Sequence, residues 1–158
     1  MESLESIMKQ LEKEGWQITT AESCTGGLLA GRLIDYAGAS KVYRQGFITY
    51  ANEAKEELLG VSHQTLEQFG AVSEETAKEM AEGAAKASGA EAALVTTGIA
   101  GPDGGSREKP VGLVYIGCHL KGRTAVRKCQ FQGNRREVRE QAVEEALNLL
   151  GEMLIQRK

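Results

Sequence analysis

Twice in this chain a short apolar, β-branched run empties into a cluster of glycines. Residues 16–20 lead into Ala21-Glu22-Ser23-Cys24-Thr25-Gly26-Gly27, and residues 92–97 lead into Gly98-Ile99-Ala100-Gly101-Pro102-Asp103-Gly104-Gly105. After the first cluster, Leu28, Leu29, Leu33 and Ile34 open a helical stripe. Strand, glycine turn, helix is the repeating unit of open α/β sheets, whose ligands bind beyond the carboxyl ends of the strands. Glycine supplies 19 of the 158 residues and proline only 2, where ordinary glycine usage is about 7%. The surplus lies between patterned segments, not in a linker. Backbone in both clusters is therefore expected to come close to a ligand.

The rest of the pattern extends the same architecture. Leu4, Ile7, Met8 and Leu11 predict a helix closed near Gly15. The stripe after Gly27 predicts a helix running to Gly38. Residues 46–50 predict a strand, with Asn52 as cap of a helix through Ala54, Leu58 and Leu59. Residues 65–69 predict a helical turn, and Ser73 the cap of a longer helix closed by Gly89. Residues 111–120 and 124–131 predict an antiparallel hairpin across Lys121-Gly122. Asn134 with Glu137 forms a capping box for a last helix, whose apolar side carries Val138, Ala142, Leu147, Leu150 and Leu154. Strands alternating with helices, closed by a hairpin, predict a three-layer α/β/α sandwich on a mixed β-sheet. No repeat or linker divides it, so one domain is expected over residues 1–158.

Composition removes several function classes. Lys+Arg is 19 and Asp+Glu 22, a net charge of −3, and direct nucleic-acid binders carry a basic footprint instead. No apolar run nears the roughly 18 residues that span a bilayer, and the N-terminus lacks a signal-peptide core. A cytoplasmic protein without a membrane partner is expected. Cys24, Cys118 and Cys129 are widely spaced, His63 and His119 stand apart, and neither CxxC nor HExxH occurs, so no metal site and no cofactor are expected.

Four segments can carry chemistry. In the first cluster, Ser23, Cys24 and Thr25 offer nucleophiles, and turn N–H groups at residues 23–26 can face an oxyanion. The same residues also suit a plain helix cap. The segment is neither a Walker loop nor a Gly-x-Ser-x-Gly elbow. In the second cluster, Pro102-Asp103-Gly104 suits a β-turn, yet four glycines in eight residues exceed that need. Thr96 and Thr97 stand at its entrance. Lys55 falls in a first helical turn, where the helix field and partial burial lower its pKa and make it a usable base for a serine. A surface lysine paired with Glu56 or Glu57 is the plainer alternative. Gly133-Asn134-Arg135-Arg136, with Arg139 a turn later, can hold a phosphate or form a solvated face. Cys24 is a rival nucleophile if a helix N-terminus acidifies it.

Together the residues 21–27, 47–55, 70–73 and 98–112 resemble the CinA C-terminal domain family over nearly the whole chain. Members similar to this chain are nicotinamide-nucleotide amidohydrolases, which convert nicotinamide mononucleotide and water to nicotinate mononucleotide and ammonia. In longer members the domain follows a molybdopterin-binding-like domain with pyrophosphatase activity, which is not carried over. The resemblance implies a serine–lysine mechanism in which Ser23 matches the nucleophile, Lys55 the base and Tyr50 an assisting tyrosine. Ser40 and Thr97 match hydroxyls around serine and substrate. Arg135 matches a substrate-contacting arginine, with Arg136 and Arg139 close in register. The backbone at Thr25, Gly26, Gly27, Gly98 and Gly101 completes the expected substrate site. The resemblance also implies a homodimer or larger assembly. Two further readings stand beside it: a non-catalytic nucleotide-binding module, and an accessory protein of DNA uptake.

Overall fold

Both glycine clusters lie where parallel strands end. A computed structural model describes residues 2–157. β1 (Ile18–Glu22) pairs in parallel with β2 (Phe47–Ile48) and β3 (Ala92–Gly98). β4 (Leu113–Leu120) pairs antiparallel with β3, and β5 (Arg123–Gln130) antiparallel with β4, giving a five-stranded sheet in the order β2-β1-β3-β4-β5. α1 (Leu4–Glu14), α2 (Leu28–Leu33) and α6 (Arg135–Gln156) cover one face of it. α3 (Asn52–Leu59), α4 (His63–Phe69) and α5 (Glu74–Ser88) cover the other. This is the expected three-layer sandwich on a mixed sheet.

Two-residue periodicity sorts the core. On β3, Ala92 and Leu94 face α6, while Ala93 and Val95 face α5. From β1 the chain crosses through α2 to β2 on one side, then returns through α3, α4 and α5 to β3 on the other. β1 is therefore a topological switch point, and the crevice beyond its carboxyl end is where such sheets bind ligands.

Several boundaries follow the sequence closely. Gly15 closes α1, and Gly89 closes α5, both in the left-handed conformation. Ser73 caps α5 through the Thr76 N–H, and Asn134 and Glu137 form the capping box of α6. Others shift. Trp16 precedes β1; it is buried, with Arg157 4.1 Å and Lys121 5.5 Å from its ring centre. α2 stops at Leu33, not at Gly38, because the next residues turn back onto the Ala30, Arg32 and Leu33 carbonyls. Gly38, at φ 107°, instead opens a 3-10 turn over Ala39–Lys41. The cap of α3 is Ala51, not Asn52, and no side chain bonds there. β2 is only two residues long, shorter than the expected run to Tyr50.

One glycine inside a helix sets how α3 sits. A Cβ at Gly83 of α5 would collide with the carbonyl oxygen of Leu59, the last residue of α3. Gly83→Ala is expected to cost about 1–3 kcal/mol through overpacking, lowering Tm by roughly 2–4 °C per kcal/mol. An unchanged melting temperature would show that α3 is free to move away.

Candidate active site

Ser23 is the first residue beyond β1, and its N–H donates to Thr96 O of β3 at 2.9 Å. The turn that follows is held from below. Glu22 is fully buried and points to the α2 side of the sheet. Its carboxylate accepts from Thr25 Oγ1 at 2.6 Å, Leu29 N at 2.8 Å and Ala30 N at 3.1 Å. Thr25 Oγ1 also lies 2.7 Å from Thr96 Oγ1. The N-terminus of α2 is thus occupied by a carboxylate of the chain itself, as the helix dipole favours. Thr25, expected at the substrate, is a buried strut behind the turn.

Lys55 comes from the first turn of α3 and is fully buried, which overturns the surface alternative. Its Nζ lies 3.0 Å from Ser23 Oγ, 2.7 Å from Thr49 O and 3.2 Å from Tyr50 O. Among the described residues no carboxylate pairs with it. Burial disfavours the ammonium and pushes the pKa down to about 8. Loss of water is the cause. Cys24 moves the other way: its thiol packs in the core, and burial pushes it up to about 11. Cys24 is therefore not an acidified rival to Ser23, because α2 begins at Leu28 and its N–H groups meet Glu22.

Ser23, Tyr50, Lys55, Val72, Thr97 and Arg135 line a cavity of about 220 Å³ that also touches Gly98. Thr97 donates its hydroxyl to Ala71 O at 2.8 Å and so fixes the Ala71-Val72 wall. Arg135 stands at the mouth, donating to Gly101 O at 2.7 Å and to Tyr50 Oη at 3.3 Å. Arg136 turns outward to Glu140. Arg139 donates to Cys24 O at 2.9 Å and Thr25 O at 3.2 Å. Ser40 is exposed on its 3-10 turn and is not part of the cavity wall. Of the turn N–H groups expected to face an oxyanion, those of Ser23 and Gly26 are taken by Thr96 O and Ser23 O. Among the described residues those of Cys24 and Thr25 meet no backbone carbonyl, and of the two only Cys24 lines the cavity.

The glycines act differently from the expectation of ligand contact. A Cβ at Gly98 would press on Leu113 O and Val114 of β4, one at Gly101 would strike the Val111 side chain, and one at Gly105 would press on Val111 N. Gly27 lines the groove between α2 and α6, away from Ser23. The second cluster is glycine-rich chiefly because it folds flat against residues 111–114. Glu22 and Thr49 hold the site yet were not assigned by sequence, whereas Thr96 was placed only at the entrance of the second cluster and Arg139 only as an alternative to Arg135. Glu22 directly before a candidate nucleophile, inside an apolar strand, was the signal available. Glu22→Gln puts an NH₂ donor against N–H groups and is expected to cost about 1–3 kcal/mol. A wild-type urea midpoint would show that the carboxylate does not hold the turn.

Comparison with known proteins identifies the family and the fold. The model of the CinA C-terminal domain matches residues 1–154. A CinA-like protein of Kosmotoga olearia is 54% identical over 155 residues, which is 98% of this chain but only 38% of that protein. A CinA superfamily protein from Klebsiella pneumoniae superposes with a TM-score of 0.92 at 37% identity, over 97% of this chain and 96% of that one. The competence/damage inducible protein CihA from Agrobacterium tumefaciens superposes at 0.87 with 44% identity, over 93% of each chain. This chain belongs to the CinA C-terminal domain family.

Proposed function

We propose that this protein hydrolyses the carboxamide of nicotinamide mononucleotide to nicotinate mononucleotide and ammonia, with Ser23 as nucleophile and Lys55 as base. The observation that carries the mechanism is the fully buried Lys55 amine 3.0 Å from Ser23 Oγ. An ammonium donates three hydrogen bonds, whereas a neutral amine donates two and accepts one. Two carbonyl oxygens, Thr49 O and Tyr50 O, face Nζ alongside one hydroxyl. Those three oxygens can accept from an ammonium, and once the amine is neutral the two carbonyls keep its N–H groups while its lone pair turns to the Ser23 proton.

In the forward step Lys55 takes that proton while Oγ bonds to the carboxamide carbon. The N–H group of Cys24, the turn residue that lines the cavity beside Ser23, is the donor proposed for the tetrahedral oxyanion. Lys55 returns the proton to the amide nitrogen, the C–N bond breaks and ammonia leaves. Water, deprotonated by the same amine, then adds to the Ser23 ester, and Lys55 returns that proton to Oγ as the C–Oγ bond breaks and the acid leaves. Arg135 and Tyr50 at the mouth suit the phosphate, and the Ala71-Val72 wall suits the pyridine ring. The nucleotide itself is carried over from the family resemblance, as are a homo-oligomer, a cytoplasmic setting and a role in pyridine nucleotide recycling. No helix among the described residues is long and apolar enough to cross a membrane.

Ammonia release from nicotinamide mononucleotide tests the reading. Ser23→Ala is expected to lower kcat at least about 10³-fold, and full activity would bring Cys24 forward despite its raised pKa. Lys55→Ala is expected to lose about 10²–10⁴-fold while calorimetry still detects nucleotide binding; an unchanged rate would remove the base. The working form of Lys55 is the neutral one, with a pKa of about 8. kcat/KM should therefore rise about tenfold per pH unit below pH 8 and level off above it. A profile flat from pH 6 to 9 would contradict a lysine base.

A further inference from the structure

We propose that Arg139 is a positioning residue for the nucleophile: its guanidinium fixes the two peptide groups after Ser23 and so sets the approach of Oγ to Lys55. The inference rests on the Ser23–Lys55 reading. Ser23 is anchored on its N-terminal side by the bond from its N–H to Thr96 O. On its C-terminal side the first two carbonyls, of Cys24 and Thr25, are both held by Arg139 from across 115 and 114 residues. Thr25 O has a second donor in Leu28 N at 3.0 Å, but Cys24 O has no other partner among the described residues. Because a peptide unit is planar, a fixed carbonyl fixes the N–H across the bond from it. Holding Cys24 O therefore also fixes the orientation of the Cys24–Thr25 peptide unit, two bonds from the Ser23 peptide.

The local sequence is shaped for this contact. Arg139 Nη2 lies 3.6 Å from where a Cβ would stand on Gly26, whose φ of 54° belongs to the left-handed region. Arg139 forms no ion pair among the described residues, whereas Arg136 on the same helix pairs with Glu140. It is absent from the cavity wall, so it acts through the turn and not on the substrate. A planar fork can span two adjacent carbonyls at once; a lysine ammonium cannot do so with the same geometry.

The test follows Ser23 by two routes: turnover of nicotinamide mononucleotide, and the rate at which a fluorophosphonate labels Ser23, read by peptide mass spectrometry. Arg139→Ala is expected to lower kcat and the labelling rate about 10²-fold, as a displacement near 1 Å does, with KM changed less than about threefold. Methylguanidine should restore part of both rates, and Arg139→Lys should fall between the two proteins. A structural role alone would not produce guanidinium rescue in a folded variant. If Arg139→Ala does not fold, the lysine variant decides, since a labelling rate equal to wild type overturns the proposal. Equal labelling by folded Arg139→Ala overturns it as well. Wild type that labels at Ser23 but leaves the mononucleotide intact removes the substrate reading alone, and Arg139 is then judged on labelling. Wild type inert to both removes the nucleophile and this inference with it.

Discussion

An amine buried without a carboxylate partner is the constraint on which the site depends. Moving a charged ammonium out of water is costly, and a protein either pairs it or neutralises it. Lys55 is fully buried and meets only two carbonyls and a hydroxyl. The drop in its pKa from 10.5 to about 8 corresponds to roughly 3 kcal/mol against the charged form. Below pH 8 the folded and unfolded chains both hold the proton, and that cost is borne in full. Between about pH 8 and 10.5 the folded chain alone releases it, so stability from this group rises with pH. The fold thus tolerates its least comfortable residue at neutral pH, and the reward is a base of useful strength beside a serine.

Two pieces of backbone make that burial possible. β2 ends after two residues, so Thr49 O and Tyr50 O turn to Nζ instead of extending a ladder. α3 then lies close enough to α5 that only a glycine fits at position 83 against Leu59 O. A longer β2 would take the carbonyls that keep the amine hydrogen-bonded. A larger residue at position 83 would lift the helix that delivers it. The short strand and the glycine are local weaknesses that the site requires.

The layers and the succession of elements along the chain were legible because they depend on periodicity, caps and glycine stops, which act over a few residues. Ser73, Gly89 and the Asn134–Glu137 box were readable for that reason. Boundaries failed where tertiary contacts override local pattern: α2 ends at Leu33 although helix-forming residues continue, and Ala51 caps α3 although Asn52 stands next to it. At the site, Ser23 and Lys55 stand out in the sequence because each follows a predicted strand, and the structure brings the two side chains within 3.0 Å. Thr25 and Ser40 were hydroxyls of the right type that point elsewhere, one to Glu22 and one to solvent. Arg139 stood in sequence only as an alternative to Arg135, and its partners were not readable because they lie more than a hundred residues away.

That long-range contact explains why one helix can organise two loops. The first turns of α6 send Arg135 to Gly101 O in the second glycine cluster and Arg139 to Cys24 O and Thr25 O in the first. The helix itself is fixed by its capping box and by buried Val138 and Ala142. Loops rich in glycine lose more entropy on ordering than other loops do, and charge-assisted bonds from a rigid helix offset that loss better than neutral ones. Glycine lets each loop lie flat against its neighbours, and arginine removes the freedom that glycine brings. Neither would suffice alone: without glycine the loops could not approach β4 and α6, and without the arginines they would not stay there. A serine proposed as nucleophile on a glycine turn therefore calls for a cation outside the cavity, and Arg139 is placed to be it.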